Sequence, residues 1–129
     1  MDSNILFNNI EEALKYHKIS EDEMYINSIE HPNSLERFSY NDKIFYHIGK
    51  GTKLYPGYPL ANQMWHNQLK LIDKFVNNNT IDVFRQFMDG AVIYLGKYCY
   101  DRCRKKIGEN GFTYFEFKLM KKRNVWLGN

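Results

Sequence analysis

The 129-residue chain has no apolar run that approaches the roughly 18 residues of a membrane span. Its N-terminus is acidic and lacks the basic-then-apolar layout of a signal peptide, so the chain is expected in the cytoplasm, with no membrane partner. Cysteine is scarce. Cys99 and Cys103 read as free thiols in a reducing compartment, and on one strand they are badly placed to bridge each other. A metal site would have to recruit His47 and His66, with no second cysteine pair to help, so neither metal nor cofactor is expected. Also missing are a nucleotide-binding glycine loop, a Gly-x-Ser-x-Gly elbow and a His-Glu-x-x-His helix. Beyond residue 36 carboxylates are few and scattered, which leaves no seat for paired acid–base catalysis or two-metal nuclease chemistry. Glu116-Phe-Lys118 is a Glu-x-Lys step, but strands produce that pattern by alternation alone.

Net charge is only +3, yet it is divided unevenly. Residues 1–36 hold eight acids and two bases, a net of −6; residues 37–129 hold sixteen bases and seven acids, a net of +9. One domain is expected, with an acidic helical part (1–36) and a basic, β-rich part (37–129) that meets a polyanion.

The densest signal is residues 81–106. Two strands meet at Asp89-Gly90, which suits a two-residue type I′ turn. That turn would pair Gln86 with Ile93, Phe84 with Leu95 and Arg85 with Tyr94. Alternation then gives the hairpin two faces. Phe84, Met88, Ala91, Ile93, Leu95 and Cys99 form an apolar face; Val83, Arg85, Phe87, Val92, Tyr94, Tyr98, Tyr100, Arg102 and Arg104 form the other. Tyrosine and arginine suit nucleic acid, because rings stack on bases and guanidinium groups bind phosphate. The equally open alternative is that helices cover both faces and the tyrosines are core, with their hydroxyls paired.

Helical spacing of Ile5, Leu6, Ile10, Ala13 and Leu14 predicts a helix over 4–17. Ser20-Glu-Asp-Glu23 reads as a capping box opening a second helix that ends near Glu30. Two short strands follow, turning at Asn41-Asp42. An irregular glycine- and proline-rich loop over 49–60 carries Lys50, Lys53, Tyr55 and Tyr58. Trp65, Leu69, Ile72 and Val76, widened by Met64, Leu71 and Phe75, predict the buried stripe of a helix over 62–76. Asn110-Gly111 is a second type I′ signal before a strand over 112–120. Strict pairing across it would set Arg104 against Phe117 and Arg102 against Leu119, so a bulge is expected near Lys105 or Gly108. The tail over 121–126 adds basic charge and Trp126. The fold class is α+β: a strongly curved antiparallel sheet or open β-barrel with flanking helices.

Phe45-Tyr-His-Ile-Gly-Lys-Gly51, Asn62 and Leu69 on a helix, Ile81-Asp-Val-Phe-Arg85, Ile93-Tyr-Leu-Gly-Lys-Tyr98 and Phe115-Glu-Phe-Lys-Leu119 follow one another in an order that resembles SRA-like domains of the wider PUA-like superfamily. The resemblance spans about residues 38–120. It implies a curved barrel that grips duplex DNA, as in modification-dependent restriction endonucleases of bacterial defence. It also implies a modified cytosine flipped into a pocket, stacked between aromatic rings and read along its polar edge. Histidine stands here where the family motif has tyrosine. On this basis Tyr46, His47, Tyr55, Tyr58 and Tyr94 are candidates for the base pocket. Lys50, Lys53, Arg85, Lys97, Arg102, Arg104 and Lys105 are candidates for the DNA backbone. Catalysis would lie on a separate nuclease or NTPase domain or subunit. Phe45 to Gly51 also resembles the opening of GIY-YIG nucleases, although the helix at 62–76 has neither the arginine that family needs nor a glutamate. A protein-interaction domain docking through the acidic part is the reading from another class.

Overall fold

A computed structural model of the chain describes residues 5–20, 24–51, 57–78 and 80–122. The capping-box residues 21–23, Lys53, Tyr55 and the tail from residue 123 lie outside the described residues.

The elements run β1 (Leu6–Phe7), α1 (Ile10–Tyr16), β2 (Tyr25–Ile29), β3 (Arg37–Phe38), β4 (Ile44–Ile48), a 3-10 turn (Trp65–Gln68) leading into α2 (Leu69–Asn78), then β5 (Thr80–Gln86), β6 (Val92–Ile107) and β7 (Thr113–Lys121). Together the strands make one sheet in the order β2-β5-β6-β7-β4-β3, with β1 paired to β6 off that path. The sheet curls into an open half-barrel accompanied by two helices, the expected α+β class.

β6 is the spine. Sixteen residues of straight strand would extend about 50 Å, longer than a domain this size, so it must bend. It bends at two bulges, where its register with β5 shifts beside Leu95 and its register with β7 shifts beside Asp101. Each bulge swaps the side of the sheet to which the following residues point. Two cores result. Phe45, Ile81, Val83, Leu95, Tyr98, Phe117 and Leu119 fill the barrel interior against Leu71 and Phe75 of α2. On the outer side Phe84 and Val92 pack under Phe7 and Ala13 and Leu14 of α1. Apolar side chains thus cover both faces of the central hairpin, and the two faces expected for it from strict alternation are mixed.

Both hairpin turns differ from the expected type I′ form in the same way. Gly90 N–H donates to Phe87 O at 2.9 Å and Phe87 N–H to Ala91 O at 2.8 Å; Gly111 N–H donates to Gly108 O at 2.9 Å and Gly108 N–H to Phe112 O at 2.9 Å. Only the glycines have positive φ, +94° and +85°. These are three-residue loops, a type I turn closed by a glycine bulge, because Asp89 and Asn110 keep negative φ. The extra residue moves the register by one. Arg85 therefore faces Ile93 and Phe84 faces Tyr94, rather than the expected partners. Beyond the Leu95 bulge the expected register returns, with Asp82 opposite Lys97 and Ile81 opposite Tyr98. In the last hairpin Arg104 faces Glu116 and Arg102 faces Lys118, so the anticipated offset sits at the Gly108 turn.

The expected second N-terminal helix is instead strand β2, parallel to β5. Burial alternates along it, with Ile26 and Ser28 inward. The local capping signal loses to the need of β5's edge for a backbone partner, and Tyr25, Ile26 and Ile29 suit a pleat. The first helix is also shorter than expected. Asn9 caps it, accepting from Glu12 N–H at 2.9 Å, and Leu6–Phe7 before it form a strand. The buried stripe of α2 is rotated from the one expected. Gln68, Leu71 and Phe75 are buried, while Trp65, Leu69 and Val76 are 46%, 50% and 71% exposed. Trp65 is therefore not core; it lies edge-on to Phe115 at the helix entrance.

Candidate nucleic-acid interface

The glycine motif ends β4 and is held by two buried glutamines. Gln63 Nε2 donates to Gly49 O at 2.6 Å, and its Oε1 accepts Phe115 N–H at 2.9 Å. Gln68 accepts Lys50 N–H at 2.8 Å and donates back to Lys50 O at 2.7 Å. Lys50 is thereby presented outward from a fixed backbone, with its side chain exposed.

β2 and β3 are the two ends of the strand path, and the barrel's seam lies between them. Ser28 Oγ–H donates across it to Glu36 Oε1 at 2.7 Å, and Glu36 Oε2 accepts Ile48 N–H at 3.1 Å. A cavity of about 370 Å³ opens there, a size typical of ligand pockets. Phe38, stacked on Phe45 at 4.3 Å, gives it an aromatic surface. Glu36, Asp42, Ser39 and Arg85 line it with donors and acceptors, and the fully exposed Tyr40 stands at its rim. The Arg85 guanidinium lies 5.4 Å over the Phe38 ring and 3.3 Å from Glu30.

The structure separates the expected site residues. Arg85 lines the seam cavity. His47 turns inward behind it, its Nδ1 2.5 Å from Glu36 Oε2 but without a directed hydrogen bond. Tyr46 points to the outer face, under the Arg37 guanidinium at 4.0 Å. Tyr94 belongs to the core beneath α1, its hydroxyl donating to Asp82 at 2.7 Å and its ring 4.2 Å from His17. Burial above all, and then the Asp82 carboxylate, push the Tyr94 phenol far up. Lys97 reaches the same Asp82 at 3.2 Å. Tyr58 is half-buried beside Pro59. Arg102 and Arg104 share the outer face of β6, whereas Lys105 points to the other side with Cys103. Tyr98, from the same tyrosine run, is core, its hydroxyl donating to Asp42 O at 2.5 Å.

Sequence reasoning missed Ser28, Glu36, Phe38 and Tyr40 in the cavity. Phe38 and Tyr40 immediately precede the turn expected at Asn41-Asp42, the one available signal. Both thiols are free, and burial, with the Glu116 charge next, raises Cys103 to about 11. Among the described residues no group of three or more His, Cys, Asp or Glu side chains is placed to hold a metal ion.

No protein-family model matches the sequence, and no curated protein matches it. Solved structures do. The SRA domain of SUVH5 in complex with fully methylated CG DNA aligns with a TM-score of 0.66 and 18% identity, over 92% of this chain and 86% of that one. The chain has an SRA-like fold. In the SUVH5 SRA complex with methylated CHH DNA the values are 0.60 and 20%, over 78% of this chain and 64% of that one. The SRA-like fold also aligns with the modification-dependent TagI restriction endonuclease, with a TM-score of 0.67 and 12% identity. There it covers 93% of this chain but spans only about half, 49%, of the enzyme.

Proposed function

We propose that the chain is a DNA-recognition module that reads a modified base in duplex DNA, with the base flipped into the seam cavity. The observation that carries this reading is the cavity itself. It pairs an aromatic ring, Phe38, with carboxylate and guanidinium groups that can read the polar edge of a base, the two elements that flipping requires. An SRA-like fold shared with proteins crystallised on methylated DNA supports it. The Lys50 loop and the basic strands supply the backbone contacts, together with Lys53. Tyr58 is a further contact for the entering strand, and the sequence motif adds Tyr55 as a candidate beside it. By analogy with TagI the module serves a restriction system, and cleavage resides in a separate domain or subunit.

Fluorescence anisotropy with matched cytosine, 5-methylcytosine and 5-hydroxymethylcytosine duplexes tests the reading. Tighter binding to a modified duplex is expected, and equal affinity for all three would overturn it. The same duplexes incubated with magnesium should stay uncut; nicking would favour the GIY-YIG alternative.

A further inference from the structure

The outer face of the sheet carries a second charged site. Strand pairing sets Arg102, Lys118, Tyr46 and Arg37 side by side across β6, β7, β4 and β3. Arg104 and Glu116 pair in the next row, and Lys106 follows on the same face. These side chains enclose a shallow depression of about 130 Å³.

Glu116 is the one acid lining it, and its charge is already engaged. It is 5% exposed and holds Arg37 at 2.9 Å and Lys106 at 3.0 Å. Lys118 reaches Asp101 at 3.5 Å. Arg102 and Arg104 make no ion pair and no side-chain hydrogen bond among the described residues. Arg102 also stands directly opposite Lys118, and like charges so placed destabilise a sheet. Two unpaired guanidinium groups therefore sit beside an ammonium over a carboxylate that is fully engaged. Planar guanidinium forks of this kind match phosphate oxygens two at a time. Arg37 lines both this depression and the seam cavity, so the two sites meet at the edge strand β3.

We infer that the outer depression binds phosphates of the DNA strand whose base enters the seam cavity, with Arg102 and Arg104 as the phosphate ligands and Arg37 at the crossing between the two sites. The inference rests on the DNA-recognition reading. Glu116 serves as an organiser that holds Arg37 and Lys106 in place without leaving free negative charge to repel the backbone.

The test is a salt titration of duplex binding by the whole chain, with and without the modified base. Arg102 and Arg104 are exposed, and losing Arg102 relieves its repulsion with Lys118, so the Arg102→Gln, Arg104→Gln variant should fold and melt no lower than the parent. Its slope of log affinity against log salt should flatten by about 1.8, two contacts at roughly 0.9 each. Affinity for modified and unmodified duplexes should fall by the same factor. Lys15→Gln, Lys70→Gln removes the same charge from the exposed surfaces of the helices and should keep the parent slope. A parent-like slope in the arginine variant, or equal flattening in the lysine variant, would overturn the site while leaving base recognition standing. A parent chain that binds no duplex at low salt would bring down the recognition reading and this site together.

Discussion

The side chain of Gln68 fills the space that a Cβ on Gly49 would need. A Cβ built there would stand 2.5 Å from Gln68 Oε1 and 3.0 Å from Gln63 Oε1. The glycine is thus explained by a close approach. It lets two buried amides grip the end of β4 through the backbone of Gly49 and Lys50.

Gly49→Ala should therefore cost about 1–3 kcal/mol through overpacking alone, read as a lower midpoint in thermal or urea unfolding. Gln68→Ala removes both bonds to Lys50 and should also destabilise. In the double variant the two costs should overlap, because the second change removes the clash made by the first. Strict additivity would show that the contact does not matter.

Tyr98 and Tyr100 are neighbours in one aromatic run with opposite surroundings. Tyr98→Phe strands the Asp42 carbonyl and should cost about 1–2 kcal/mol. Tyr100 is 41% exposed, and its hydroxyl deletion should shift the melting midpoint little. Comparable losses in the two variants would contradict the burial assigned to them.

Glu116 links stability to pH. Burial would raise its carboxyl, but the hydrogen bonds from Lys106 and Arg37, and then their charges, hold it below the ordinary range. A carboxylate whose folded pKa is depressed stabilises above its unfolded value, about 4.3, and loses that contribution as pH falls through the folded value. Glu116→Gln should therefore be less stable than the parent by about 1–3 kcal/mol at neutral pH. The gap should narrow as pH falls below about 4. A gap independent of pH would rule out the ion pairs as its source.

In the seam cavity, ring and edge can be separated. Phe38→Ala should weaken binding to a modified duplex roughly 5- to 150-fold, the value of about 1–3 kcal/mol for one stacked base. It should change unmodified binding much less. Glu36→Gln keeps the shape but exchanges an acceptor for a donor and should alter which base is preferred. If neither variant changes discrimination while both remain folded, the base is read elsewhere.

Much of the framework was legible because it is local. Asp89-Gly90 and Asn110-Gly111 announced both hairpins, and the alternation of Phe115, Phe117 and Leu119 announced the inner face of β7. The order of motifs from Phe45 to Leu119 carried the resemblance to the SRA fold. What the two turns could not convey was their length, since either glycine serves a two- or a three-residue loop, and one residue reverses the pairing.

The amino-acid order by itself determined three consecutive antiparallel strands, a helix before them, an acidic first part and a basic remainder, all set by nearest neighbours along the chain. Tertiary structure alone decided the rest. β2 became a strand because β5, far along the chain, had an edge to satisfy. Gln63 and Gln68 became buried because the glycine turn offered their amides partners. The bulges in β6 sent Tyr98 inward and Arg102 and Arg104 outward, for no local pattern reports where a long strand must bend to close a barrel. The seam cavity exists only where β2 and β3 converge, so Glu36, Phe38 and Arg85 meet there through the curvature of the whole sheet.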